Sequence, residues 1–246
     1  MRVKTVKKVL GNIPILESFP VEMENDALPL IIYYHGWQIN KELVMPQGKK
    51  YAAEGFRVVM PDAAHHGDRR QIMSDVPSLT FFQSIQTNLF EFEYIVDAYQ
   101  KTGLATDQIG VGGLSMGGMT TFALLTHHPE IKAAAILMGT PDLIGYKNII
   151  KQNVKRYNTF LPKDYEELIN WLPLYDLKTQ PEKVDDTPLY IWHGDKDDRV
   201  PFEATKAFIE DNPQLNMQVN LEYGAGHLVT PKITNEVRDF FVRELL

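Results

Sequence analysis

Ile109-Gly110-Val111-Gly112-Gly113-Leu114-Ser115-Met116-Gly117-Gly118 is the stretch on which the fold turns. Its first six residues are apolar or small and read as a buried strand, and from Met116 to about His127 the pattern becomes helical. Between the two, Gly113-Leu114-Ser115-Met116-Gly117 has the form G-x-S-x-G. That form sets a serine on a sharp strand-to-helix turn, with small neighbours where the backbone is crowded. The hydroxyl then projects from the top of the sheet. Five residues match such a pattern by chance often enough that the weight rests on the strand before it and the helix after it. The bland reading is a glycine-rich turn with an idle serine. A dinucleotide fingerprint starting at Gly110-Val111-Gly112 is another reading, but Ser115 stands where its third glycine belongs.

Working outward, short apolar runs alternate with longer helical patterns. Leu28–Tyr34 is a strand ending at His35-Gly36, and Gly55–Met60 is one ending at Pro61-Asp62; Ala133–Met138, Pro188–Trp192 and Val219–Tyr223 continue the series. Helices are predicted at about Thr80–Gln100, Met116–His127, Phe202–Glu210 and Thr234–Leu245, with Pro231 just ahead of the last. The alternation predicts an α/β fold: a mostly parallel twisted sheet with helices on both faces, binding its ligand at the carboxyl ends of the strands. From Pro141 to about Thr187 the rhythm fails. Helical pieces at Lys147–Arg156 and Lys163–Asn170 appear there without a strand. The expectation is a single domain over 1–246 carrying a small helical lid insertion at about 141–187; a plain crossover with extra packing helices is the alternative.

Composition removes several classes of function. The 246 residues are 44% apolar and 23% charged, as in ordinary water-soluble proteins, and no run approaches the ~20 apolar residues of a membrane span. The basic opening Met1–Lys8 lacks the apolar stretch of a secretory signal and reads as a charged edge strand. A net charge of −7 without a large Lys/Arg cluster argues against nucleic acid as a partner. The absence of cysteine excludes disulfides, thiol nucleophiles and thiolate metal ligands, and fits a cytoplasmic setting. A small molecule is the expected partner of a monomer or homodimer.

A serine hydroxyl is a poor nucleophile at neutral pH and needs a base in reach and a third group to hold that base. A serine on such an elbow is followed along the chain by an acid and then a histidine. His227, in Gly224-Ala225-Gly226-His227 after a strand, fits as base; His65, His66, His127 and His128 precede the acid, and His193 ends a strand. The acid lies in the loop after Trp192, where Asp195, Asp197 and Asp198 all compete. Acyl transfer also puts charge on a carbonyl oxygen, for which backbone N–H donors must be waiting. Met116, at the start of the helix, supplies one, and Trp37, in the loop after an earlier strand, the other. His35 beside it reads as structural.

Tyr34-His35-Gly36, Pro61-Asp62 with His66-Gly67, Gly113-Leu114-Ser115-Met116-Gly117-Gly118, His193-Gly194-x-x-Asp197-x-x-Val200-Pro201 and Gly226-His227 together resemble the prolyl-oligopeptidase-like esterases of the α/β-hydrolase superfamily. Within these the chain looks most like the small bacterial YitV/YjfP-type esterases. The resemblance implies the α/β-hydrolase fold, Asp197 as the acid, and hydrolysis of short-chain carboxylic esters without a cofactor. Its kinship with peptidases and dienelactone hydrolases leaves peptidase, lactonase or thioesterase chemistry open on the same residues, as does a non-catalytic ligand-binding role. Of the aromatic residues in the insertion, Tyr146, Trp171 and Tyr175 are the candidates for a substrate pocket with Gly36; Tyr157 and Phe160 belong to the same apolar set. Asp62, His65, His66 and Asp68 cluster at a strand end, but tying down their loop is their expected work, and no metal is expected.

Overall fold

The structure, a computed structural model, describes residues 1–70 and 77–246. Among the described residues eight strands make one sheet. In chain order they are β1 (Val3–Leu10), β2 (Ile13–Pro20), β3 (Leu28–Tyr34), β4 (Arg57–Pro61), β5 (Ala105–Leu114), β6 (Ile131–Leu137), β7 (Leu189–Gly194) and β8 (Met217–Glu222). In space the order is β1-β2-β4-β3-β5-β6-β7-β8. β1 and β2 pair antiparallel, as do β2 and β4, and every pair from β4 to β8 is parallel. The helices are α1 (Lys41–Ala52), α2 (Pro77–Lys101), α3 (Met116–Leu124), α4 (Leu143–Arg156), α5 (Tyr165–Leu168), α6 (Phe202–Asp211) and α7 (Pro231–Leu245).

The continuous apolar runs are strands because both sheet faces are covered. Side chains alternate across a strand, and successive residues of β3 feed two separate cores. Leu30, Ile32 and Tyr34 pack with residues of α2 and α3, whereas Ile31 and Tyr33 pack with residues of α1 and α7. Gly110-Val111-Gly112 lies inside β5, under Leu245 and against Tyr33, rather than in a turn that could cradle phosphates. The basic opening forms the edge strand β1, and α7 begins at Pro231 itself, with Thr230 as its cap.

Two elements escape the sequence reading. β2 is buried along its whole length yet contains Pro14, Glu17, Ser18 and Pro20, so it shows no apolar signature. Glu17 is tolerated there because Arg57 Nη1 donates to it at 2.5 Å and Lys8 also pairs with it. α1 contains Pro46 and Gly48, both read as helix breakers; Gly48 is needed because a Cβ there would overlap Met60. Between β6 and β7, among the described residues, lie only α4, α5 and 3₁₀ turns at Leu172–Tyr175, Leu177–Thr179 and Pro181–Val184. Asp142 caps α4 by accepting from Gly145 N at 2.6 Å. Leu143 alone in α4 is buried, and Tyr146 and Ile150 are half-buried against the core.

Candidate active site

Ser115 stands between the last residue of β5 and the first of α3, with φ 57° and ψ −116°. A non-glycine residue there costs about 1–3 kcal/mol and persists only where its surroundings hold it. Ser115 N donates to Leu137 O at 2.8 Å, which anchors the turn to β6. Glycines on either side let α3 press onto the strand ends. A Cβ on Gly117 would overlap the Tyr34 carbonyl, and one on Gly113 would lie 2.6 Å from the Gly117 carbonyl carbon. The hydroxyl is thereby held up at the carboxyl end of the sheet.

The loops after β7 and β8 open at the same end. The side chain of Asp197 is fully buried, and its carboxylate is satisfied on both oxygens. Oδ1 accepts from the amides of Arg199 and Val200, both at 2.9 Å, and Oδ2 accepts from His227 Nδ1 at 2.7 Å and from His193 Nε2 at 3.1 Å. Burial alone would raise this carboxyl, but the bonds from His193, His227 and the two amides outweigh it and hold the group well below the usual carboxylate range. An ionised Asp197 can only accept, so His227 carries its proton on Nδ1 and leaves Nε2 free to take one. The competing acids are elsewhere: Asp195 ties the two loops together by accepting from Gly224 N at 2.5 Å, and Asp198 is exposed. Ser115 and His227 border one cavity of about 740 Å³ without a hydrogen bond between them; such bonds often close only when substrate is bound.

The loop after β3 lies beside the serine because Tyr34 and Gly113 are partners in register. A Cβ on Gly36 would sit 3.4 Å from that of Ser115. Beyond it come Trp37 and Gln38, the latter with φ 62°. Among the described residues the amides of Trp37 and Met116 have no hydrogen-bond partner. Two neutral histidines brace this loop against the end of β4. His35 Nε2 accepts from Ala63 N at 3.0 Å while its Nδ1 donates to Gly36 O at 2.8 Å. His66 Nε2 accepts from Gln38 N at 3.0 Å while its Nδ1 donates to Ala64 O at 2.8 Å. Burial pushes His35 down to about 4 and holds His66 below the ordinary histidine value. Asp62 completes the brace, accepting from Lys41 N at 3.0 Å, Lys41 Nζ at 2.5 Å and Asp68 N at 2.9 Å. The Lys41 ammonium therefore occupies the carboxylates that a cation would need; among the described residues no His/Asp/Glu cluster is arranged to hold a metal.

Gly36, Trp37 and Tyr146 line the cavity; Trp171 and Tyr175 do not. Trp171 packs 6.0 Å from Tyr175 and 6.5 Å from Phe82, and Tyr175 stacks on His127 at 4.3 Å, so both fasten the 3₁₀ turn to the core. Burial pushes the Tyr146 hydroxyl up to about 12, with a further push from the Asp197 charge. Lining residues that the sequence reading passed over include Phe81, Ile150 and Val154. The signal for the latter two was available: 146, 150, 153, 154 and 157 follow one face of a helix.

Comparison with known proteins places this geometry in context. The prolyl oligopeptidase family matches over residues 86–244, a span that holds Ser115, Asp197 and His227 but not Trp37. YitV of Bacillus subtilis (strain 168), which carries an esterase name, is 34% identical over 82% of this chain and 82% of its own. Esterase YjfP of Escherichia coli (strain K12) is 27% identical over 96% of this chain and 97% of its own. The crystal structure of TT1662 from Thermus thermophilus superposes with a TM-score of 0.78 at 21% identity, covering 100% of this chain and 99% of that one, a likeness of fold. No helix among the described residues is long and apolar enough to cross a membrane.

Proposed function

The chain belongs to the prolyl oligopeptidase family, and from that premise we propose that it is a carboxylic ester hydrolase working through an acyl-enzyme on Ser115. The observation that carries the assignment is the 2.7 Å bond from His227 Nδ1 to the fully buried, ionised side chain of Asp197, at the cavity that Ser115 enters from its strained turn. His227 Nε2 takes the Ser115 proton as Oγ attacks the ester carbonyl carbon, and the oxyanion that forms is met by the amides of Met116 and Trp37. The tetrahedral intermediate collapses, His227 returns the proton to the leaving alcohol, and the acyl group stays on Ser115. Water then attacks the acyl-enzyme with His227 again as base, releasing the acid. Asp197 keeps the imidazole in the useful tautomer and stabilises the imidazolium in each half. The segment 141–187 acts as a lid, with α4 forming one wall of the cavity.

Esters fit this site better than peptides do. The cavity lining is mostly apolar, and its charged side chains are the neighbouring Asp198 and Arg199, of opposite sign. Short acyl esters enter such a space without filling it. The test is hydrolysis of p-nitrophenyl butyrate by wild type and Ser115→Ala, together with labelling by a fluorophosphonate probe. Turnover and labelling that both vanish in the variant are expected; a folded wild-type protein that neither labels nor turns over any ester would overturn the assignment.

A further inference from the structure

Resting on that reading, we infer that the preferred substrate is an ester with a medium-length or longer aliphatic acyl chain, held against α4. An ester in the site has three directions to satisfy. Its carbonyl oxygen must face the amides of Met116 and Trp37, and its leaving oxygen must face His227. The acyl chain takes the remaining direction, past the aromatic row in which Trp37 meets Phe81 at 5.4 Å and Phe81 meets Tyr146 at 5.4 Å. That row leads onto the face of α4 that carries Ile150 and Val154, both cavity-lining and neither wholly buried. Leu43 is 59%, Tyr157 66%, Phe160 70% and Leu228 75% exposed, although all four border the cavity. Large apolar side chains left this open around a reaction centre lack a partner that an acetyl group cannot supply and an alkyl chain can. The volume points the same way, since about 740 Å³ is within the range of sites for drug-sized ligands.

Each methylene moved from water to an apolar wall contributes about 0.8 kcal/mol, about fourfold in kcat/KM while the wall lasts. The experiment is a p-nitrophenyl ester series from acetate to laurate with wild type, Val154→Asp and Ser115→Ala. The expected result is a kcat/KM that climbs by about two- to fourfold per methylene to at least octanoate, with the octanoate-to-acetate ratio about tenfold lower in Val154→Asp. Val154→Ala, which removes wall without adding charge, is expected to lower the ratio by about two- to fourfold and serves if the aspartate variant does not fold. Wild-type rates that peak at acetate or butyrate, or a ratio untouched by both variants, would overturn the inference and leave the esterase reading standing. Loss of Ser115 dependence, or no turnover of any ester, would instead remove the reading on which it rests.

Discussion

Acidification from pH 7 to pH 4 is expected to take about 3 kcal/mol of stability from this protein through His35 alone. The side chain is 1% exposed, and its Nε2 accepts the Ala63 amide at 3.0 Å, so a proton on that nitrogen would set two donors face to face without water. Its folded value is pushed down to about 4, against 6.5 for an ordinary histidine. Between those two values the unfolded chain binds a proton that the native protein refuses, so stability falls as pH falls. The contribution is intact above pH 6.5, declines through the interval at about 1.4 kcal/mol per pH unit, and is flat once the native histidine also protonates. The assay is urea unfolding at pH 7, 6, 5 and 4 for wild type and His35→Gln. The glutamine carbonyl can accept the same amide and does not titrate. Carboxylate effects are common to both proteins, so the stability of wild type relative to the variant should drop by about 3 kcal/mol across the range. A difference that stays level from pH 7 to pH 4 would refute the reasoning.

The other expectations concern the site and one buried pair. Asp197→Asn should keep the fold but lower kcat by up to ~10⁴-fold, because the amide presents the wrong partner to His227 Nδ1–H; steady-state kinetics with a circular dichroism control will show it. His66→Leu removes the acceptor of the Gln38 amide and lets the Trp37 donor drift, so kcat should fall by roughly 10- to 100-fold with KM little changed, and His66→Gln should recover much of the loss. Arg57→Met leaves Glu17 fully buried and without its guanidinium, which should cost about 3–5 kcal/mol in denaturant unfolding, whereas pairing it with Glu17→Met should return most of that.

Much of the fold was legible because parallel strands buried on both faces write themselves as apolar runs. β3, β4 and β5 through β7 were found this way; β8 is an edge strand with no buried residue, and only the apolar residues of 219–223 marked it. β2 was not, since its burial is achieved with a paired Glu17 and two prolines, and pairing is invisible one residue at a time. α1 was missed for the reverse reason: Pro46 and Gly48 are poor helix formers, and only the contact of Gly48 with Met60 gives the glycine a reason. At the site, Ser115 and His227 follow from local pattern and chain order. The three aspartates of one loop do not separate by local pattern, because what distinguishes Asp197 is the direction of its carboxylate; the family resemblance supplied that choice. Trp171 and Tyr175 show the limit from the other side. An aromatic residue at helical spacing looks the same whether it fills a core or lines a cavity, and only the path of the 3₁₀ turn at 172–175 decides.

The two amides proposed to meet the oxyanion follow β3 and β5, strands that are neighbours in the sheet but lie some seventy residues apart in the chain, with the 25-residue α2 between them. A long helix forms from local contacts within microseconds, while a parallel pairing across such a gap must first close a large loop. Regained ester turnover after dilution from denaturant is thus a stopwatch for the meeting of β3 and β5. It should trail the return of the helical signal, and the delay between them measures how long the centre of the sheet takes to assemble.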